Sequence, residues 1–278
     1  MRRIEFLEPK VILEGLKFPE GPRWHDDKLW FSDMRIRKVM TVELNGNSEI
    51  IAEVPNRPSG LGWLPDGRLL IVSMENRHLL RLDTGGLTEL ADLSKLISYP
   101  INDMVVDKEG RAYIGNFGFD FINNKPFAPA EIILVSPQGD ARIVADNMAF
   151  PNGMVITPDD KTLIVAETFA YRLTAFDITD DGSLTKRRVW ANLESLPPDG
   201  ICLDAEGAIW VATPNHSSVI RVLEGGKITH KVNITTEAYA CMLGSPDRDI
   251  LFICTSTKER TNGRIEYVKV DVPGAGLP

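Results

Sequence analysis

Acidic and amide side chains recur in short motifs rich in proline and glycine along this 278-residue sequence. Glu20, Asn152 and Asp199 each stand between a proline and a glycine, and Asn102 stands in the related motif Ile-Asn-Asp. Carboxylate and amide oxygens are the ligands that hard divalent cations prefer, so together they could hold Ca²⁺, with Mg²⁺, Mn²⁺ or Zn²⁺ as alternatives. Such motifs are also ordinary turn chemistry, because Asn and Asp hydrogen-bond their own backbone in turns. The elements that carry the motifs decide between these interpretations.

The motifs belong to an internal repeat. Six segments share one plan, in which a motif is followed by a turn and by further short apolar or alternating runs. The central residues of the six openings lie 39, 43, 50, 47 and 41 positions apart: Glu20, Ser59, Asn102, Asn152, Asp199 and Ala240. Three or four short strands in each unit are typical of the blades of a β-propeller. No segment keeps the apolar spacing of an amphipathic helix for three turns, which excludes a helical repeat.

The two ends of the chain indicate how the ring closes. Val11–Leu13 precedes the first motif in the same way as Ile143–Ala145 precedes the fourth, so the chain begins with an outer strand that has no blade ahead of it. The last unit ends after its third strand, Ile265–Val270. We expect Val11–Leu13 to complete that blade, because closure removes two exposed sheet edges. The predicted fold is an all-β, six-bladed propeller of four-stranded antiparallel blades, formed as one domain over residues 1–278.

Propeller geometry brings the matched positions together. The first strand of every blade lines the central channel, and all six strands run in the same direction, so their starting residues meet at one mouth. Two carboxylates and two amides at that mouth form an all-oxygen site with a formal charge of -2. Without a cation the carboxylates would repel each other at a cost of several kcal/mol. The sequence therefore predicts one divalent metal ion in the channel.

Composition excludes several classes of partner and site. A net charge of -8 and a pI near 5.2 argue against binding of nucleic acid or of an anionic membrane. The N-terminus has no apolar stretch typical of a signal peptide, and no apolar run approaches the length of a bilayer span. Cys202, Cys241 and Cys254 stand in apolar strand-like runs, which indicates buried free thiols and a cytoplasmic protein. A Gly-x-Ser-x-Gly motif, typical of serine esterases, does not occur.

The sequence resembles the gluconolactonase–regucalcin (senescence-marker) family, which is itself similar to the diisopropyl fluorophosphatase propeller. The resemblance extends from Val11 to about Asp271, and its most specific pieces are Phe18–Trp24, Asn102-Asp103, Phe150–Met154 and Pro198–Ile201. It implies that Glu20, Asn152 and Asp199 bind the metal and that Asn102 lies beside the metal or the substrate. It also implies that Asp199 is the catalytic base or nucleophile.

Three functions follow from this site and this resemblance. The first is a metal-dependent lactonase acting on a small lactone or related ester, in which the cation polarises the carbonyl and Asp199 activates water or attacks directly. The second is hydrolysis of a phosphoester or organophosphate at the same metal, as in the fluorophosphatase branch. The third is a non-catalytic calcium-binding propeller, although a pure scaffold does not need a full set of channel carboxylates.

One departure from the family concerns the substrate. Sugar-lactone members often carry an arginine two residues before the matched Asn, but here that place holds Pro100, which offers no donor. The loops predicted around the mouth are instead aromatic, and the candidate substrate contacts are Tyr99, Phe117, Phe119 and Phe169. These rings indicate either an apolar pocket for a less hydroxylated lactone or simple packing of the loops.

Overall fold

The computed structural model describes residues 4–276. Its strands begin with β1 (Glu5–Leu7) and β2 (Lys10–Leu16). Blade 1 contains β3 (Pro19–His25), β4 (Lys28–Asp33), β5 (Lys38–Val42) and β6 (Ser48–Glu53); blade 2 contains β7 (Pro58–Trp63), β8 (Leu69–Ser73), β9 (His78–Asp83) and β10 (Gly86–Asp92). Blade 3 contains β11 (Ile101–Val106), β12 (Ala112–Asn116), β13 (Ala130–Val135) and β14 (Ala141–Met148).

The remaining blades repeat this arrangement. Blade 4 contains β15 (Pro151–Ile156), β16 (Thr162–Glu167), β17 (Arg172–Ile178) and β18 (Leu184–Asn192), with a 3₁₀ turn at Thr168–Ala170. Blade 5 contains β19 (Ile201–Leu203), β20 (Ile209–Thr213), β21 (Ser218–Val222) and β22 (Ile228–Asn233); blade 6 contains β23 (Glu237–Gly244), β24 (Ile250–Ser256) and β25 (Gly263–Lys269). The prediction of a six-bladed all-β propeller is confirmed.

The N-terminal strand closes the ring, as predicted. β2 pairs antiparallel with β25, where Val11 faces Glu266 and Leu13 faces Ile265, and it thereby becomes the fourth strand of blade 6. A fifth strand in blade 5 was not predicted. There β1 pairs parallel with β22, with Glu5 opposite His230.

The C-terminal segment crosses the end of the channel opposite the mouth. Gly274 forms an isolated bridge with Asp204, which follows the innermost strand of blade 5. The amide of Ala205 donates to the carbonyl of Pro273 at 2.8 Å, and the amide of Ala275 donates to the carbonyl of Leu203 at 3.1 Å.

Apolar side chains fill the spaces between neighbouring blades. Leu70 and Val72 of blade 2, for example, belong to one buried cluster with Met104, Ile114 and Ile133 of blade 3. Each blade therefore contributes its two faces to two separate parts of the core, and no blade buries its apolar surface without its neighbours.

Composition led to predictions about the cysteines and about membrane-spanning segments. The three cysteines are buried free thiols, as predicted, and the Sγ atoms of Cys202 and Cys241 lie 3.8 Å apart. Among residues 4–276, no helix is long and apolar enough to cross a membrane. The cytoplasmic location stays a prediction.

Glycines set the spacing of the innermost strands. A Cβ atom on Gly21 would lie 2.6 Å from the carbonyl oxygen of Ser59 in the next blade, and one on Gly200 would lie 2.4 Å from the Cβ of Ala240. A Cβ atom on Gly153 would lie 2.5 to 2.8 Å from backbone atoms of residues 199–201. The glycine after a matched position is therefore required by close packing of adjacent strands around the channel.

We predict that Gly153→Ala lowers the free energy of unfolding by about 2 kcal/mol, because the added methyl group meets backbone that must shift. Urea denaturation of the purified protein measures this change. Gly85→Ala is the matched control, since a Cβ at that turn residue meets no atom within 4 Å. Its expected effect is within about 0.5 kcal/mol of zero. Equal effects of the two substitutions would contradict the packing argument.

Candidate functional site

The matched residues meet at the mouth of the channel, as the repeat predicts. Glu20 lies on β3 and is partly exposed, whereas Asn102 on β11, Asn152 on β15 and Asp199 just before β19 are each 8% exposed. The innermost strands contact one another in blade order around a closed ring. The four side chains therefore come from blades 1, 3, 4 and 5 and surround the same opening.

Irregular strand pairing presents these side chains. The register between first and second strands shifts just after the matched position, between Glu20 and Arg23 in blade 1 and between Pro151 and Met154 in blade 4. Blades 2 and 3 have the same irregularity. Bulges of this kind redirect a side chain next to a site, and here they occur at the same place in four blades.

A polar chain links three of the blades at the mouth. The Asn102 Nδ2 atom donates to Asn152 Oδ1 at 3.1 Å, and Asn152 Nδ2 donates to the Thr168 hydroxyl at 3.3 Å. That hydroxyl donates to the carbonyl of Pro198 at 2.8 Å, directly before Asp199. The amide oxygen of Asn152 is thus held in place, and the backbone that carries Asp199 is tied to blade 4.

Burial and neighbouring negative charges disfavour the charged forms of both matched carboxylates. Burial raises the pKa of Glu20 well above its ordinary range, and the nearby charges of Asp199 and Asp103 raise it further. Burial raises the pKa of Asp199 to about 7, while the Arg260 guanidinium opposes the rise. A cation between these carboxylates would remove the cost of their ionisation.

The donor set fits a hard divalent cation. Glu20, Asp199 and Asn152 offer oxygen ligands, and Asn102 lies beside Asn152. Within residues 4–276, no three His, Cys, Asp or Glu side chains are grouped so that they could share a metal ion. The candidate site therefore depends on amide oxygen in addition to its two carboxylates.

Asp103 has a different role from its neighbour Asn102. Its Oδ1 atom accepts the amide of Met104 at 2.8 Å and pairs with Arg23 at 3.1 Å. Arg23 is 4% exposed and also donates to the carbonyls of Pro22 and Met104 inside the channel. Asp103 therefore caps a backbone amide and forms a buried ion pair with Arg23.

The aromatic residues gather on the side of the mouth formed by blades 3 and 4. Phe117 stacks on Phe150 with ring centres 4.7 Å apart, and Phe119 lies 5.8 Å from Phe169. Phe117 and Phe119 are largely buried within this cluster, whereas Phe169 and Tyr99 are 39% and 38% exposed. The cluster thus has a packed interior and an exposed edge.

Arg260 is a residue of the site that the sequence reasoning missed. Its guanidinium carbon lies 4.6 Å from the centre of the Phe18 ring and 5.5 Å from that of Tyr239, and its charge acts on both Glu20 and Asp199. It lies on the hairpin loop between β24 and β25, outside every matched motif. The repeat carries no signal for such a residue.

Glu167 supports the loop that leads to Asn152. Its buried carboxylate accepts the amide of Ala149 at 2.7 Å and pairs with Arg172 at 2.8 Å and Arg187 at 3.2 Å. Although burial alone would raise its pKa, the hydrogen bonds from Thr174 and Ala149 and the charge of Arg172 lower the pKa below the ordinary value of 4.5. Glu167 is therefore a structural anchor and not a mouth residue.

The chain is similar to several known proteins. The family model described as "SMP-30/Gluconolactonase/LRE-like region" matches residues 18–257. Regucalcin of Danio rerio is 27% identical over 263 residues, covering 88% of this chain and 85% of its own. Pentonolactonase of Haloferax volcanii is 24% identical over 255 residues, covering 89% and 84%. The crystal structure of regucalcin from Agrobacterium tumefaciens, described as a calcium-binding protein, matches with a TM-score of 0.84 and 21% identity over 100% of this chain and 99% of that one.

We predict that Glu167→Gln lowers the free energy of unfolding by about 3 kcal/mol at neutral pH, because two arginines lose their buried partner. The folded pKa of Glu167 lies below 4.5, so its contribution is complete above that pH and is lost as the pH falls through the folded pKa. The difference between the two proteins in urea denaturation should therefore shrink in acid. Glu53→Gln, an exposed carboxylate 3.6 Å from Lys38, should change stability by about 0.5 kcal/mol or less. A pH-independent difference for Glu167→Gln would contradict this account.

Proposed function

Since the chain belongs to the SMP-30/gluconolactonase/LRE-like family, we propose that it is a divalent-metal-dependent hydrolase that opens a lactone or related cyclic ester at the channel mouth. The observation that carries the proposal is the convergence of Glu20, Asp199, Asn152 and Asn102 on one opening, with the pKa of both carboxylates raised. One relative and the family description support the reaction class, because the relative is a pentonolactonase and the description includes gluconolactonase.

We assign Glu20, Asn152 and Asp199 as the metal ligands and Ca²⁺ as the first choice of ion. The similarity to a calcium-binding regucalcin supports Ca²⁺, and the oxygen donor set also suits Mg²⁺, Mn²⁺ or, less well, Zn²⁺. When bound, the cation would polarise the substrate carbonyl and stabilise the negative charge that develops on its oxygen.

The protein side chains then position the reactants. Asn102 donates an amide hydrogen bond to Asn152, one of the assigned ligands, and its position at the mouth suits it to orient the substrate. Asp199 either accepts the proton of an attacking water molecule or attacks the carbonyl carbon itself to form an acyl intermediate. The Asn152–Thr168–Pro198 chain keeps the Asp199 backbone in place during either route.

The aromatic edge at blades 3 and 4 supports the substrate assignment. We assign Phe169 and Tyr99 as direct contacts on the basis of their exposure, with Phe117 and Phe119 forming the wall behind them. Rings in this position favour an apolar surface on the substrate. Sugar hydroxyls placed against the rings would lose their hydrogen bonds to water without gaining new partners. Phosphoester hydrolysis at the same ligands and calcium binding without catalysis are the competing functions.

We predict that one divalent ion binds per chain and raises the melting temperature of the protein, because it binds the folded state and relieves carboxylate repulsion. Calorimetric titration of chelator-treated protein with Ca²⁺, Mg²⁺, Mn²⁺ and Zn²⁺ gives the stoichiometry. Asn152→Ala should weaken binding by about tenfold or more, since it removes one ligand. An absence of binding by all four ions would contradict the proposal.

We predict that Asp199→Asn lowers kcat for lactone hydrolysis by about 100-fold or more even at saturating metal. Glu20→Gln should act mainly through metal affinity, so excess metal should restore part of its activity. Release of acid from a panel of lactones and phosphoesters, followed at several metal concentrations, separates the lactonase from the competing functions. Full activity of metal-saturated Asp199→Asn would show that the catalytic residue is a different one.

We predict that a partly apolar lactone such as dihydrocoumarin is preferred to gluconolactone by at least about tenfold in kcat/KM, because ring burial contributes about 1–3 kcal/mol. Phe169→Ala should lower the preference, whereas Phe6→Ala, which removes an exposed ring on β1, should not change it. A clear preference for gluconolactone would mean that the aromatic cluster serves loop packing alone.

A further inference from the structure

One side of the channel mouth is basic, although the chain as a whole carries a net charge of -8. Arg57 is half-buried at the connection from blade 1 to blade 2, and its pKa is lowered by that burial and by the neighbouring charges of Arg35, Arg37 and Arg260. Among residues 4–276, Glu75 is the carboxylate that pairs with these arginines. It lies 3.2 Å from Arg57 and 3.6 Å from Arg37. The Nε atom of Arg57 is buried without a hydrogen-bond partner in that part of the chain.

Arg260 differs from the arginines that end the matching hairpins of other blades. Arg37, Arg77 and Arg260 all adopt a positive φ, of 62°, 62° and 58°. Arg37 and Arg77 donate to the carbonyls of Pro55 and Ser98 and so tie their hairpins to the adjacent connections. The hairpin loop of Arg260 spans 257–262, six residues where blades 1 and 2 have four, and it lays the guanidinium over Phe18 and Tyr239.

The guanidinium of Arg260 is held in place by two aromatic rings and has no counter-ion among residues 4–276. Phe18 precedes Glu20 by two residues, and Tyr239 precedes the matched Ala240, so both rings belong to the rim of the channel. Both are buried, and they pack edge to face with ring centres 4.7 Å apart. In the described part of the chain, no carboxylate lies within 4.0 Å of Arg260, in contrast to Arg57. Two rings thus fix an unpaired, planar cation at the edge of the candidate site.

The charges of the mouth do not balance. Glu20, Asp199 and Asp103 carry three negative charges when ionised. A bound divalent ion, Arg23 and Arg260 would carry four positive charges, and Arg35, Arg37 and Arg57 add three more against the one negative charge of Glu75. Electrostatic complementarity therefore favours an anionic substrate.

The opposite wall of the mouth is apolar. The innermost strands are ordered around the ring so that blade 6, which carries Arg260, lies across the channel from blade 3. Blades 3 and 4 carry the aromatic cluster, whose exposed edge includes Phe169 and Tyr99. A molecule spanning the mouth would meet a cation at one end and aromatic rings at the other.

We propose that Arg260 binds a carboxylate of the substrate, so that the substrate class is a lactone or ester with one carboxylate at one end and an apolar part at the other. The inference rests on the proposed hydrolase function and specifies its substrate. A carboxylate matches both the excess of positive charge and the planar fork of a guanidinium, which its two oxygens can accept side by side. Arg260 replaces, from another blade, the donor that is missing at Pro100.

The experiment compares two pairs of probes on the calcium-loaded protein. Dihydrocoumarin-6-carboxylate and its 6-carboxamide report turnover, and tetralin-6-carboxylate and its 6-carboxamide, which have no ester bond, report binding by calorimetry. We expect the wild type to prefer the carboxylate of each pair by about tenfold or more. Arg260→Gln should reduce both preferences to about twofold or less, and because each preference compares two probes on the same variant, a general loss of turnover cancels.

Two further substitutions distinguish a specific effect of Arg260 from an effect of general surface charge or of lowered stability. Arg35→Gln, an exposed arginine of the same side, should keep at least about half of each preference because, among the described residues, the guanidinium over Phe18 and Tyr239 is that of Arg260 and not that of Arg35. Arg260→Lys keeps the charge without the planar fork and should reduce each preference at least about threefold, which provides a second test if Arg260→Gln melts early.

The binding measurement and the turnover measurement test different claims, and a different result contradicts each claim. An undiminished preference for tetralin-6-carboxylate in either Arg260 variant would overturn the inference, since the carboxylate would then bind the metal or another cation. Failure of the wild type to hydrolyse either dihydrocoumarin would overturn the proposed lactonase function instead, while the calorimetry would still decide the role of Arg260.

Discussion

Six innermost strands approach one axis so closely that a hydrogen atom is often the largest side chain that fits between them. Gly21, Gly153 and Gly200 each lie against the backbone or Cβ of the next blade, at distances that exclude a methyl group. The residue before each glycine is directed toward the axis by the same geometry, and in blades 1 and 4 a bulge at this point adds to the effect. The candidate ligands therefore converge because of how the ring packs, and the chemistry of the mouth depends on that packing.

Bringing the channel carboxylates together costs electrostatic free energy, and the protein compensates this cost for one carboxylate but not for the other two. Asp103 receives the buried guanidinium of Arg23, so its charge is compensated within the fold. Glu20 and Asp199 receive no such partner at contact distance among the described residues, and Arg260 acts on them only through space. The structure thus distinguishes a carboxylate that stabilises the channel from two that are free to bind a ligand.

Much of the architecture could be predicted because the repeat places one residue type at one structural position. The matched motifs located Glu20, Asn152 and Asp199 at one mouth, and the unpaired outer strand at Val11–Leu13 gave the closure of the ring. The bulges could not be predicted, since a register shift leaves no periodic signal, and Arg23 was missed with them. Arg260 was missed for another reason: its hairpin departs from the repeat in length, and its contacts with rings come from distant parts of the chain.

Closure by β2 also imposes an order of events during synthesis. The partner of β2 is β25, which begins at Gly263, almost 250 residues after β2 ends at Leu16. At roughly 5–20 residues per second, translation leaves this strand without its partner for on the order of 10 to 50 seconds. Throughout that time its backbone donors and acceptors are open to pairing with other nascent chains, a known route to aggregation. The blade that joins the two ends is therefore where co-translational protection, by a chaperone or by transient local pairing, matters most for this chain.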